Sequence, residues 1–227
     1  ASDEPREVPG TENEEGENPD KVLDAGAGEL QNRKHCSHLA YTSQDFAQYD
    51  GKGDGKGLQM EKWDNSKLDI ISDITSIPVK EASFDAVLCS EVLEHLPEPD
   101  KVFSEFSRIL KKNGFLIITA PFCSLTHFSP YHFSTGFNKY YYEFHCNKNG
   151  FQIIELTPNG NYFEFLSQEV RRLPYLAKDY RVKEVNTPIA QHLILKQMIK
   201  ILERMDTSCS GTENILCFGY HLLAKKI

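Results

Sequence analysis

From Lys21 onward, two rhythms of apolar positions alternate along this chain. Short apolar runs predict a strand ending at Val22-Leu23 and further strands over 39–44, 68–71, 84–89, 115–120, 151–156 and 215–224. Between them, apolar residues three and four apart predict helices. The helix over 100–112 places Val102, Phe103, Phe106, Ile109 and Leu110 on one face, with Asp100 as N-cap and Asn113-Gly114 as stop. A second, over 136–149, directs Phe137, Tyr140, Tyr141 and Phe144 to the core and stops at Gly150. Strand alternating with helix predicts an α/β fold, a doubly wound parallel sheet, and the nearly all-apolar strand over 115–120 fits burial between helices on both faces.

Past the sixth strand the pattern changes. Asn161 can cap a helix that Pro174 stops, and Thr187-Pro188 opens another to 205 with Leu195, Met198, Ile199 and Leu202 on one stripe. A helical insertion over 161–212 is thus predicted within a single domain over 21–227, as a substrate lid, a dimer surface or packing for the sheet edge. Earlier, 29–36 leaves room only for a short helix or irregular loop. Residues 51–57 carry glycine at every second position and read as a flexible loop, a surface excursion or a flap.

Composition narrows the function classes. With 227 residues and 40% hydrophobic content the chain can bury a substantial core. Residues 1–20 hold eight acids against Arg6, so almost all of the net charge of −8 sits in a stretch that reads as a disordered tail. The rest is near neutral and shows no basic stripe, so nucleic acid is not expected as a partner. No apolar run reaches the ~20 residues of a membrane span and no signal peptide is evident, so a cytoplasmic protein is expected. The six cysteines form no C-x-x-C pair and read as reduced thiols.

Candidate chemistry begins at Asp24-Ala25-Gly26-Ala27-Gly28. The glycines allow a tight turn that lies against a ligand, and Asp24 sits at a strand end, where open α/β sheets bind ligands. Asp45 follows strand two, Asp73-Ile74 follows strand three, and Ser90-Glu91-Val92-Leu93-Glu94-His95 follows strand four. Together with the run from Ser83 to Leu96 and Ser107-Arg108-Ile109-Leu110-Lys111-Lys112-Asn113-Gly114, these motifs resemble the class I S-adenosylmethionine-dependent methyltransferases, of the type 11-like kind. The resemblance covers about 21–157 and the last strand. It implies a Rossmann-like sheet of seven strands, the last antiparallel, and S-adenosylmethionine as cofactor.

On that resemblance, the Gly26 and Gly28 turn takes the methionine end of the cofactor with Asp24 nearby and water between, Asp45 accepts from both ribose hydroxyls, Phe46 packs on adenine, Asp73 and the Ile74 amide read the adenine edge, and Ser90 and Glu91 floor the site. The chain departs from the family in two respects. Leu30 stands where a third glycine is common, and residues 1–20 cannot supply the helix that often covers the cofactor, so a more exposed cofactor is expected. Gln31, where a dinucleotide fold wants glycine, disfavours an NAD(P)-dependent oxidoreductase.

The stretch 121–133 is rich in aromatics and histidines and faces the transferable methyl in the family. His127 and His132 are the candidate bases for a hydroxyl acceptor, with Tyr131 as orienting partner and His95 a further candidate. No carboxylate in that loop completes a metal set, so no metal is expected. The reading is methyl transfer to an oxygen or nitrogen of a small-molecule or glycan-type acceptor by in-line displacement, with a homodimer possible; the rival within the same fold is a non-catalytic scaffold that only binds the cofactor.

Overall fold

In the computed structural model, which describes residues 19–182 and 189–227, seven strands form one sheet. The strands β1 (Lys21–Ala25), β2 (Ala40–Asp45), β3 (Ile70–Ile71), β4 (Phe84–Ser90), β5 (Leu110–Pro121), β6 (Phe151–Asn159) and β7 (Gly219–Lys226) take the order β3-β2-β1-β4-β5-β7-β6. Parallel pairing joins β1 to β2 and β4, β2 to β3, and β4 to β5, while β7 runs antiparallel. The chain steps outward from β1 to β3 and then returns to lay β4 on the other side of β1. At that switch the C-terminal strand ends part around a crevice. The predicted acidic tail, apart from Pro19 and Asp20, and the predicted helix start at Thr187-Pro188 lie outside the described residues.

The core follows from apolar residues that the sheet and one helix bury together. Leu23, Val87, Leu116 and Ile118 are fully buried, as are Val102, Phe103, Phe106 and Ile109 of α1 (Lys101–Ile109). That helix is shorter than its periodicity predicts, because Leu110 already pairs with Phe84. The ladder resumes at Ala86 opposite Phe115, so the residues between bulge out, with Asn113 at a φ of 67°. Gly114 is required there, since a β-carbon would fall 2.9 Å from the Asp85 carbonyl oxygen. Asp100 has helical backbone angles and caps nothing.

Coverage of the sheet also differs from expectation. Phe115 and Ile117 stay 42% and 38% exposed, so β5 alternates in and out and is not buried on both faces. The β1–β2 connection contains only a single 3₁₀ turn at Arg33–His35, and among the described residues no α-helix precedes α1. In α2 (Lys139–Lys148), capped by Asn138, the buried pair is Tyr142 and Cys146, while Tyr140 and Phe144 point outward. Aromatic residues flank both sides of this helix, so spacing alone could not choose its inner face.

Residues 158–219 form a compact unit of their own. Asn161 caps α3 (Tyr162–Asp179) by accepting from the amides of Phe163 and Glu164, and α4 (Ile189–Thr207) pairs with it, Arg171 meeting Glu203 at 2.7 Å. Contrary to the sequence reading, α3 runs on through Pro174 for another five residues. The missing amide of proline removes one hydrogen bond of the ladder, a loss that packing of α3 on α4 offsets. Among the described residues, no helix is long and apolar enough to cross a membrane.

Candidate active site

The glycine turn after β1 is tied down from inside the protein. Gly26 and Ala27 both donate their amides to the Gln44 carbonyl, at 2.8 and 2.9 Å, and Gly28 donates to Asp45 Oδ2 at 3.0 Å. The turn therefore does not have these amides to offer a ligand carboxylate, against the sequence expectation. Gly26 and Gly28 adopt φ of 78° and 49°, and Leu30, in place of the third glycine, takes the same left-handed conformation at 62°.

Asp24 is the clearest correction among the four acids. Its carboxylate is buried beneath the site, accepting from Tyr41 Oη at 2.6 Å and from Asn32 Nδ2 at 3.2 Å, and it does not line the cavity. Burial raises its pKa from the ordinary aspartate range, an effect the Tyr41 and Asn32 hydrogen bonds only partly oppose. The side chain that stands between Asp24 and the cavity is Asn32.

The other predicted cofactor residues converge. A cavity of about 750 Å³ opens at the C-terminal ends of β1 to β4, and Gly26, Gly28, Asp45, Phe46, Asp73, Ile74, Ser90 and Glu91 all line it. Asp45 accepts from the amides of Gly28 and Ala47, which fixes its carboxylate at the tip of β2. Asp73 accepts from the amide and hydroxyl of Thr75 through one oxygen, and Ser90 shares a 2.8 Å hydrogen bond with Thr119.

Two loops close the wall. The glycine-rich loop is no free excursion: Asp54 and Leu58 donate to the Ser129 and Thr126 carbonyls, and Phe128 donates back to Leu58. A β-carbon on Gly53 would fall 1.9 Å from the Ser129 oxygen, so only glycine permits this contact. Between the loops, Phe128 stacks on Tyr49 at 4.4 Å and meets Trp63 edge-on, while Tyr131 meets Phe46 at 5.0 Å. Trp63 and Tyr49 were not found by sequence reasoning, since nothing local distinguishes them from loop residues.

Beside these aromatics, His127 and Tyr131 line the cavity and so does His95, whose ring stacks on Phe128 at 5.1 Å; His132 does not. His132 Nε2 lies 3.1 Å from Ser124 Oγ, and its ring contacts that of His127 from behind. Burial, with a smaller contribution from His127, lowers its pKa. His95 donates from Nδ1 to the Tyr131 carbonyl at 2.6 Å, and burial pushes its pKa down to about 4, so it is neutral at pH 7. Beside it lies Glu94, a residue that the sequence reading gave no role. Its side chain is 1% exposed, neither oxygen has a hydrogen-bond partner among the described residues, and burial followed by repulsion from Glu91 raises its pKa to about 8.

This arrangement meets known proteins at two levels. Residues 23–118 match a family described as a methyltransferase domain. Over these residues the chain carries a methyltransferase domain, consistent with the class I S-adenosylmethionine-dependent kind. Among solved structures, an S-adenosylmethionine-dependent methyltransferase from Archaeoglobus fulgidus is 17% identical, with a TM-score of 0.54 over 92% of this chain and 86% of the other. The [4+2]-cyclase SpnF is 16% identical, with a TM-score of 0.52 over 92% and 74%. At these identities the likeness is one of fold. No curated protein matches the chain.

A methyltransferase domain of this fold implies S-adenosylmethionine as its cofactor, and the cavity has the means to hold it. The volume suits a small-molecule ligand. Gln44 Oε1 and Ser72 Oγ are buried in the wall without partners among the described residues, polar atoms that a ligand can satisfy.

Proposed function

We propose that the domain methylates an oxygen or nitrogen of a small-molecule or glycan-type acceptor by direct in-line displacement. The observation that carries this reading is the cavity itself, lined both by carboxylates at the tips of β2 and β3 and by the imidazoles of His95 and His127. Asp45 is placed to accept from the ribose hydroxyls, Phe46 to pack on adenine, Asp73 and Ile74 to meet the adenine edge, and Ser90 and Glu91 to floor the methionine end beside Asn32. When bound, the sulfonium supplies a methyl that leaves under backside attack. The protein's part is to align the acceptor and take its proton.

His127 is the better placed base. Its Nδ1 donates to the Leu125 carbonyl at 2.8 Å, which leaves the Nε2 lone pair to accept a proton at the cavity wall. Tyr131 orients the acceptor from its place against Phe46, and His132 supports His127 from behind. A near-neutral charge outside the acidic tail and an aromatic wall fit an uncharged or sugar-like acceptor. We assign the helical insertion over 161–212 to acceptor recognition, supported by the exposed Leu193, Ile194, Met198 and Ile201 on α4.

Calorimetric titration with S-adenosylmethionine, its demethylated product and NAD tests the cofactor half, and NAD binding in place of the other two would end this reading. With an acceptor in hand, His127→Ala is expected to lower turnover by ~10²–10⁴-fold with cofactor affinity unchanged. Replacing 161–212 by a short linker is expected to spare cofactor binding and lower turnover. Unchanged turnover in either protein overturns the corresponding assignment.

A further inference from the structure

Three potential metal ligands meet at the wall of the cavity. Glu94 and His95 come from the 3₁₀ turn after β4 (Leu93–His95), His127 from the loop after β5, and one ligand atom from each lies within 4.8 Å of the others. Glu94 Oε1 is 3.7 Å from His95 Nε2 and 3.8 Å from His127 Nε2. These distances are too long for hydrogen bonds. They are close to the ~3.4 Å that separates two ligand atoms held about 2.1 Å from one tetrahedral ion.

The surroundings fix the ligands as a metal site requires. Both imidazoles donate from Nδ1 to a backbone carbonyl, His95 to Tyr131 and His127 to Leu125, so both present the Nε2 lone pair on the side of Glu94. Anchoring of the remote nitrogen is how proteins orient metal-ligating histidines. Independently, the Glu94 carboxylate is almost wholly buried and unpartnered among the described residues, with the like-charged Glu91 nearby. A cation held between this buried carboxyl group and the two imidazoles would satisfy oxygens that no hydrogen bond reaches.

We propose that Glu94, His95 and His127 bind a divalent first-row transition-metal ion. Two imidazoles and one carboxylate suit zinc, manganese, iron(II) or cobalt better than calcium, which takes oxygen ligands. Because His95 and His127 line the cavity, water or an oxygen of the acceptor completes the shell. An acceptor hydroxyl bound there is acidified and loses its proton to solvent, so in the metal-loaded protein His127 serves as ligand and no separate base is needed. This deepens the reading of the acceptor side above and rests on it only for where the acceptor lies. The carboxylate comes from the turn after β4, which is why a search confined to the histidine loop expected no metal.

The test uses untagged full-length protein, stripped with a chelator and desalted. Cobalt(II) is titrated by visible absorption and manganese(II) by loss of the free-ion electron paramagnetic resonance signal. One equivalent is expected to bind, with Glu94→Gln and His127→Ala each lowering affinity more than ~10-fold. His127→Ala, in a surface loop, keeps the test valid if Glu94→Gln fails to fold. Absence of uptake by the parent, or equal uptake by both folded variants, overturns the site. S-adenosylmethionine is titrated into the same metal-free samples: cofactor binding without metal uptake refutes only the metal site, and metal uptake without cofactor binding refutes only the cofactor reading.

Discussion

Gly28 lies flat against the indole of Trp63: a β-carbon at position 28 would fall 2.5 Å from Trp63 Cζ2. The backbone there has a φ of 49°, so a side chain would meet conformational strain as well as the ring. Gly28→Ala is therefore expected to displace Trp63 from the cavity wall, lowering stability by about 1 kcal/mol and cofactor affinity by about tenfold. Indole fluorescence reports the displacement directly, because Trp63 is the single tryptophan. An unchanged emission spectrum with unchanged affinity would show that the contact does not shape the site.

Asp45 carries two tasks, since the carboxylate that faces the cavity also holds the amides of Gly28 and Ala47. Asp45→Ala removes both the anchor and the acceptor for the ribose, bonds worth ~1.5–3 kcal/mol each when one partner is charged. Cofactor affinity is expected to fall at least tenfold. Calorimetry that finds the parent's affinity in the variant would move the ribose elsewhere.

The buried Asp24 makes stability depend on pH. An unfolded aspartate titrates near ~3.9, whereas burial raises the folded value, with Tyr41, Asn32 and the charge of Asp45 around it. The folded protein thus holds this proton more tightly than the unfolded chain, and the contribution of Asp24 to stability falls as pH rises from about 4 through the folded pKa. Asp24→Asn lacks that fall. Its Tm minus that of the parent is expected to be higher at pH 7 than at pH 4, and a difference that stays constant with pH would contradict the assignment.

A second ion pair fastens the segment after β3 to α1. Arg108 donates to Glu105 and to the carbonyls of Ile77 and Val79, while Glu105 accepts from the Ile77 amide. Arg108→Met leaves the buried Glu105 short of its counter-charge and is expected to cost about 2 kcal/mol in denaturant unfolding. Because Ile74 and Asp73 lie just ahead of this anchor, cofactor affinity is expected to fall with it. Full stability in the variant would mean that solvent replaces the pair.

Much of the fold was present in local patterning, because strand, turn and helix signals act over a few residues. Val22 to Gly28, Asp45, Asp73 and Ser90 stand at the ends of successive parallel strands, and a parallel sheet brings all such ends to one edge whatever the details between them. What local pattern could not decide was anything set by competition between distant segments. Helix α1 yields at Leu110 because Phe84 pairs with that residue, and α3 passes Pro174 because α4 packs on it. The glycine-rich loop is ordered by carbonyls about 70 residues away. Asp24 turned from the cavity because Tyr41, on the neighbouring strand, offered it a hydroxyl. Glu94 became a candidate ligand only when the loop after β5 folded back and brought His127 to it. Residue type determined which groups could bind a cation, and the tertiary fold decided which of them meet, since distances of a few ångströms between them follow from packing and from no spacing along the chain.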